Sequence, residues 1–100
     1  MFMLMTYDVE ARRTSKFKKL LRRYLNHEQY SVFTGDITDA QAIRLRRELG
    51  QLMVPGDRVT EVCAANRQNV EVCQFAKSKA GKGELKRTPL EDHRRDFSVL

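Results

Sequence analysis

The segment from Phe2 to Tyr7 constrains the fold of this 100-residue chain more than any other feature. It contains no charged residue and shows little helical periodicity, and an acidic residue, Asp8, follows it directly. A short run of this kind is typical of a central strand that is buried on both faces. A chain of this length forms one domain with a modest core, which pairing with a second copy would enlarge. We therefore predict a buried first strand that ends at Asp8.

The first of two amphipathic helices is predicted directly after this strand and a polar connection. Its apolar residues have the spacing of a single helical stripe, and they are Phe17, Leu20, Leu21, Tyr24 and Leu25. Thr14 or Ser15 is the expected N-cap, because a hydroxyl can accept a hydrogen bond from a free amide of the first turn. Asn26 is the expected C-cap.

The second helix is predicted from its own start and stop signals. Thr38 and Gln41 have the spacing of a capping box, and the Pro55-Gly56 pair ends the helix. The residues expected to face inward are Ala42, Leu45, Leu49, Leu52 and Met53.

Strands are predicted between and after the helices. The segment 28–37 indicates one bent strand or two short ones, with a turn at Gly35-Asp36, and the segments 58–65 and 70–76 indicate two more. The order β-α-β-(β)-α-β-β predicts an α+β protein, a ferredoxin-like sandwich. In that fold both helices pack on one face of an antiparallel sheet.

The C-terminal third of the chain leaves two questions open. If the last two predicted strands form a hairpin about Gln68, Cys63 and Cys73 lie nearly opposite each other, and in a cytoplasmic protein we expect free thiols. After residue 76 the chain becomes rich in lysine and glycine. We therefore predict a ferredoxin-like domain at 1–76 and a basic extension at 77–100. Its last five residues, DFSVL, suit a strand that pairs with a partner, and a simple disordered tail fits equally well.

The positive charge of the chain is concentrated in one segment. The net charge is +6, and residues 12–23 contain seven Lys or Arg and no acid, so the remainder is close to neutral. A concentrated cationic surface attracts polyanions, of which nucleic acid is the first candidate and an anionic membrane surface the second. No motif for base recognition is visible, so we expect phosphate contacts with little sequence preference. The cations assigned to nucleic acid from this pattern are Lys16, Lys19 and Arg23.

Asp8 has a structural and a functional interpretation. It is expected at the end of the first strand and beside the first helix, where it could cap a turn or pair with Arg12 or Arg13. Alternatively it could bind Mg²⁺, because this ion retains several waters and often needs only one or two carboxylates. A two-fold dimer would supply a second Asp8, and a metal between the two could activate water at a phosphodiester.

Other classes of function find little support. No segment approaches the roughly 20 apolar residues of a membrane span, and the N-terminal run lacks the features of a signal peptide, so we expect a cytoplasmic protein without a membrane partner. His27 and His93 have no partner at metal-ligand spacing, and Ser31 has no evident triad partners.

Four motifs together resemble one known family, over roughly residues 1–76. The motifs TYDV, LLRRYLN, EQYSVFTGDITDAQ and LRRELGQLMVPGDRV resemble the CRISPR-associated Cas-two proteins. The resemblance implies a ferredoxin-like homodimer that bridges Cas-one integrase dimers during spacer acquisition and carries duplex DNA on its basic face. It also implies a magnesium-dependent endonuclease acting on single-stranded RNA or duplex DNA. In that enzyme Asp8 is catalytic and binds the metal, and the nearby site residues are Arg12, Arg13, Ser31 and Phe33.

Three functions therefore remain open from the sequence. The first is a DNA-binding scaffold for the integrase, and the second is a magnesium-dependent nuclease. The third is a toxin-like ribonuclease or RNA-binding ferredoxin-like protein outside CRISPR.

Overall fold

The computed structural model describes residues 1–77 and 85–89. Six strands and two helices follow one another along the chain: β1 (Phe2–Asp8), α1 (Thr14–Arg22), β2 (Asn26–Gln29), β3 (Val32–Asp36), α2 (Asp39–Leu52), β4 (Arg58–Ala64), β5 (Cys73–Lys77) and β6 (Leu85–Pro89). Short 3₁₀ turns occupy Ala11–Arg13 and Arg67–Asn69.

The first four strands form one antiparallel sheet in the order β2-β3-β1-β4. β1 is therefore an interior strand, as its lack of charge predicts. Met3, Met5 and Tyr7 on β1 are buried against the helices. On the other face Phe2 is buried but Leu4 and Thr6 are only half-buried, so the predicted burial on both faces is only partly correct. The order β-α-β-β-α-β and this sheet confirm the predicted α+β, ferredoxin-like fold.

Both predicted helical stripes contribute to the core between the helices and the sheet. From the first stripe Phe17, Leu20, Leu21 and Leu25 are buried, and from α2 the buried residues are Ala42, Leu45 and Leu49. Tyr24, Leu52 and Met53 pack against this core while remaining half-exposed. The core thus holds α1 in a fixed position beside the end of β1.

The two helices begin in different ways. At α2 the predicted capping box is present, because the Thr38 hydroxyl accepts from the Gln41 amide at 3.1 Å and the Gln41 side chain accepts from the Thr38 amide at 3.0 Å. The hydroxyl cap predicted for α1 is wrong. The chain enters α1 through a 3₁₀ turn, and the Thr14 hydroxyl donates to the Ala11 carbonyl at 2.9 Å. The predicted C-cap is also wrong, since α1 ends at Arg22 and Asn26 already lies in β2.

The segment 28–37 contributes to two strands whose turn differs from the predicted one. β2 and β3 are joined at Tyr30 and Ser31, whereas Gly35 lies within β3. A β-carbon at Gly35 would stand 3.4 Å from a methyl group of Leu25, so this glycine packs beside a core residue of the segment after α1.

The hairpin about Gln68, which the sequence left open, does not form in the described chain, because β4 pairs with β1 whereas β5 pairs with β6. Cys63 and Cys73 are both free thiols, as expected. β5 extends through Lys77, so a paired strand crosses the predicted boundary between residues 76 and 77. The predicted terminal strand DFSVL lies outside the described residues.

Neither helix of the described ranges is long and apolar enough to cross a membrane.

Candidate nucleic-acid and metal site

A cavity of about 400 Å³ opens where β1 ends. Three parts of the fold form its walls: the end of β1, the first turns of α1 and the β2–β3 turn. The polar and aromatic side chains that line it are Asp8, Thr14, Lys18, His27, Tyr30 and Ser31, with Tyr7 and Val9 completing the lining. The helix contributes Thr14 and Lys18 because residues four apart share one face.

Asp8 is exposed at this cavity, and its carboxylate makes no hydrogen bond or ion pair with the described part of the chain. The two arginines that could have neutralised it are engaged elsewhere. Arg12 donates to Glu10 at 2.9 Å, and Arg13 forms an ion pair with Asp57. Neither arginine therefore forms the ion pair with Asp8 that the structural interpretation proposed.

The donors at the cavity fit Mg²⁺ only in part. In residues 1–77 and 85–89, no group of three or more His, Cys, Asp and Glu could hold a metal. The cavity offers one carboxylate, that of Asp8, together with the hydroxyls of Thr14 and Ser31. Because Mg²⁺ accepts one or two carboxylates and keeps several waters, two copies of Asp8 would form a suitable donor set.

Arg13 has a structural role in the described fold. Its guanidinium donates to the Asp57 carboxylate and to the Leu52 carbonyl at 2.8 Å, and it lies 5.4 Å from the centre of the Phe17 ring. Asp57 also accepts a hydrogen bond from the Val54 amide at 2.9 Å. The hydrogen bond from Arg13, and to a lesser extent the one from the Val54 amide, holds the pKa of Asp57 below its usual value. The side chains of Arg13 and Asp57 are only 13% and 5% exposed. Arg13 thus joins the start of α1 to the segment after α2 and presents little charge to a ligand.

Phe33 and Ser31 have different places in the structure. Phe33 is 0% exposed, with its ring centre 6.0 Å from that of Tyr7 and stacked on His27 at 4.6 Å. It therefore belongs to the core and offers no surface to nucleic acid. Ser31 is half-buried at the cavity, and its hydroxyl lies 3.0 Å from that of Thr6.

The cations predicted for nucleic acid lie along a groove between α1 and α2. Lys16, Lys19 and Arg23 line this groove, which measures about 360 Å³, and all three are exposed. Arg23 donates to Glu48 at 2.9 Å, and Glu48 also accepts from the Tyr24 hydroxyl. These contacts, with the Tyr24 hydrogen bond foremost, keep the pKa of Glu48 below its usual value. Lys16 and Lys19 form no ion pair with the described residues, so their charges are available.

Several residues at these surfaces were not predicted from the sequence. Lys18 and Tyr30 line the cavity, and the four-residue spacing from Thr14 could have indicated Lys18. Arg44 and Arg47 add exposed charge on α2, where the motif RLRRE was the available signal.

The fold and surfaces define a class: a small ferredoxin-like sandwich with one free acid at a strand end and a cationic helix surface. A family model described as "CRISPR associated protein Cas2" matches residues 1–70. The chain belongs to the Cas2 family, in agreement with the resemblance of its motifs.

Relatives and solved structures support this assignment. Proteins named "CRISPR-associated endoribonuclease Cas2" match at 42% identity in Haloferax volcanii and at 30% in Methanocaldococcus jannaschii. The Haloferax match covers 59% of this chain and 69% of the relative. The Methanocaldococcus match covers 92% of this chain and 75% of the relative. A structure described as "Crystal structure of cas2" superposes with a TM-score of 0.71 at 29% identity, covering 80% of this chain and 91% of the other. The crystal structure of Streptococcus pyogenes Cas2 superposes with a TM-score of 0.62 at 26% sequence identity. That match covers 72% of this chain and 98% of the other.

Proposed function

We propose that the chain acts in a CRISPR system as a homodimer that binds nucleic acid along its cationic helices and cleaves phosphodiester bonds at Asp8 with Mg²⁺. The observation that carries this proposal is the exposed Asp8 carboxylate, unpaired within the described chain, at a cavity beside a cationic helix. The name of the relatives, endoribonuclease, supports the same chemistry.

The face of the sheet opposite the helices is only partly covered, and this supports the homodimer. Leu4 on β1 is paired in register with Val62 on β4, and both lie on the face opposite the helices. Val62 is 45% exposed, and Leu4 and Val32 on the same face are half-exposed. A second copy that packs the same face here would bury these residues. The interface would be isologous, so it would relate the two Asp8 side chains by a two-fold axis.

The cavity residues have separate roles in this proposal. The two Asp8 carboxylates would hold Mg²⁺, which supplies an activated water and neutralises charge on the phosphodiester. Lys18 would bind a phosphate oxygen, because it lines the same cavity. Thr14 and Ser31 provide hydroxyls that can orient water by hydrogen bonds.

The cationic groove supports a role in adaptation. A duplex presents regularly spaced phosphates, and the groove presents Lys16 and Lys19 with no ion-pair partner in the described chain. We further propose that the dimer carries duplex DNA and bridges Cas-one integrase dimers during spacer acquisition. Membership of the Cas2 family favours this role over a toxin-like ribonuclease outside CRISPR.

The groove is tested by removing one free charge. Lys19→Gln is expected to weaken duplex binding, and it should reduce the slope of log affinity against log salt by about one for each Lys19 in contact, because each phosphate contact releases counterions.

Arg46→Gln is the matched control for this test. It removes the same charge from α2, but Arg46 is already paired with Glu61 through hydrogen bonds of 2.9 and 3.0 Å. We therefore expect the salt slope to stay unchanged in this variant. Equal effects of the two substitutions, or wild-type binding indifferent to salt, would contradict the proposed surface.

A further inference from the structure

Tyr30 combines two features that a purely structural turn residue does not need. Its φ is +37°, and it lies in a two-residue turn between the paired residues Gln29 and Val32. Such positions favour Gly, Asn or Asp, because a bulky side chain is strained there. The Tyr30 side chain is nevertheless 90% exposed, so packing offers little compensation within the described chain. An exposed aromatic ring kept at a strained position is a candidate ligand contact.

The backbone that carries this ring is anchored on both sides. The ring Nε2 of His27 donates to the Tyr30 carbonyl at 2.6 Å, and the His27 ring stacks on the fully buried Phe33. On the other side the hydroxyls of Ser31 and Thr6 are hydrogen-bonded at 3.0 Å. These contacts attach the turn to the core. A ring presented from an anchored backbone loses less entropy on binding.

The surroundings of the ring indicate what it would bind. Tyr30 shares the cavity of about 400 Å³ with Lys18 and Asp8, and this volume lies in the usual range of ligand sites. The Lys18 ammonium has no ion-pair partner in the described chain. An aromatic face binds a base by stacking, and a neighbouring cation binds phosphate. A base offers its face freely only when it is unpaired and unstacked.

We propose that Tyr30 stacks on one unpaired base of a single-stranded nucleic acid, with an adjoining phosphate at Lys18 and the neighbouring phosphodiester beside Asp8. This inference rests on the proposed function and specifies the strand that this site takes. The stacked base is common to RNA and DNA, so the experiment must distinguish the two sugars.

The test measures binding without cleavage, in EDTA. The probe is a short oligonucleotide that contains one 2-aminopurine, a base whose fluorescence falls when it stacks. It is used as single-stranded RNA, as single-stranded DNA and as a duplex. Tyr30→Asn is the informative variant because asparagine tolerates positive φ. It should bind the single strands about 5- to 150-fold more weakly, since stacking one base is worth roughly that factor. Tyr30→Phe should bind and quench as the wild type does, and duplex affinity should be unchanged in both variants.

Other outcomes separate this inference from the proposed function. If wild type and Tyr30→Asn bind single strands equally well and with the same salt dependence, the stacking role is overturned and the proposed function stands. If wild type binds no nucleic acid, both are overturned. Tyr30→Asn should also melt no lower than wild type and remain equally dimeric at equal protein concentration. A lower Tm or a weakened dimer would make Tyr30 a structural residue and overturn the inference.

Discussion

Asp8→Asn is expected to lower metal-dependent cleavage of nucleic acid by at least about 100-fold, because a bound metal stabilises the transition state by several kcal/mol. The change replaces a carboxylate by an uncharged amide of nearly the same shape. Since Asp8 is exposed and makes no hydrogen bond or ion pair with the described chain, the free energy of unfolding should change by no more than about 0.5 kcal/mol. Cleavage of labelled single-stranded RNA and duplex DNA, with Mg²⁺ or with EDTA, measures the effect.

Asp39→Asn is a suitable control for this experiment. Asp39 is an exposed acid in the first turn of α2, so its loss costs about 0.3–1 kcal/mol of helix stabilisation without touching the cavity. Cleavage should be retained in the control. If cleavage is equal in wild type and Asp8→Asn, the catalytic carboxylate lies elsewhere. If wild type does not cut, the scaffold role alone remains.

Phe33→Ala is expected to destabilise the protein by about 3–5 kcal/mol, the usual cost of removing a buried phenyl ring. Phe33 is fully buried between Tyr7 and His27, so the substitution leaves a cavity under the candidate site. A small domain has a total stability of about 5–15 kcal/mol, so a large part would be lost. Urea unfolding measures the change.

Nucleic-acid binding distinguishes the core role of Phe33 from the role that the family resemblance implies. Under conditions where Phe33→Ala remains folded, its salt slope for duplex binding should equal that of the wild type. Phe33→Leu, which keeps most of the buried volume, should recover much of the stability. A variant of near-normal stability that had lost nucleic-acid binding would show that Phe33 contacts the ligand.

The fold was predictable because its signals are local. A segment free of charge specified β1, a single apolar stripe specified α1, and the capping box at Thr38 specified the start of α2. The errors arose where one residue type serves two purposes. Gly35 suggested a turn, but it lies within β3 and packs beside Leu25, a contact that no local pattern reveals.

The candidate site was predictable only where position along a strand or on a helix face determines exposure. Asp8 follows from the end of β1, and Lys16 and Lys19 follow from the polar face of a helix. Arg13 shows the limit, because its partner Asp57 lies 44 residues away in the chain. Such a contact depends on how α1 packs beside α2, which spacing does not specify.

We propose that two chains share one Mg²⁺ ion through their Asp8 carboxylates. The most direct test is calorimetric titration of the dimer with Mn²⁺ as a probe for the Mg²⁺ site, alongside Asp8→Asn. We expect one ion bound per two wild-type chains and no binding to the variant. One ion per chain, or binding that survives Asp8→Asn, would rule out a metal ion shared by the two carboxylates.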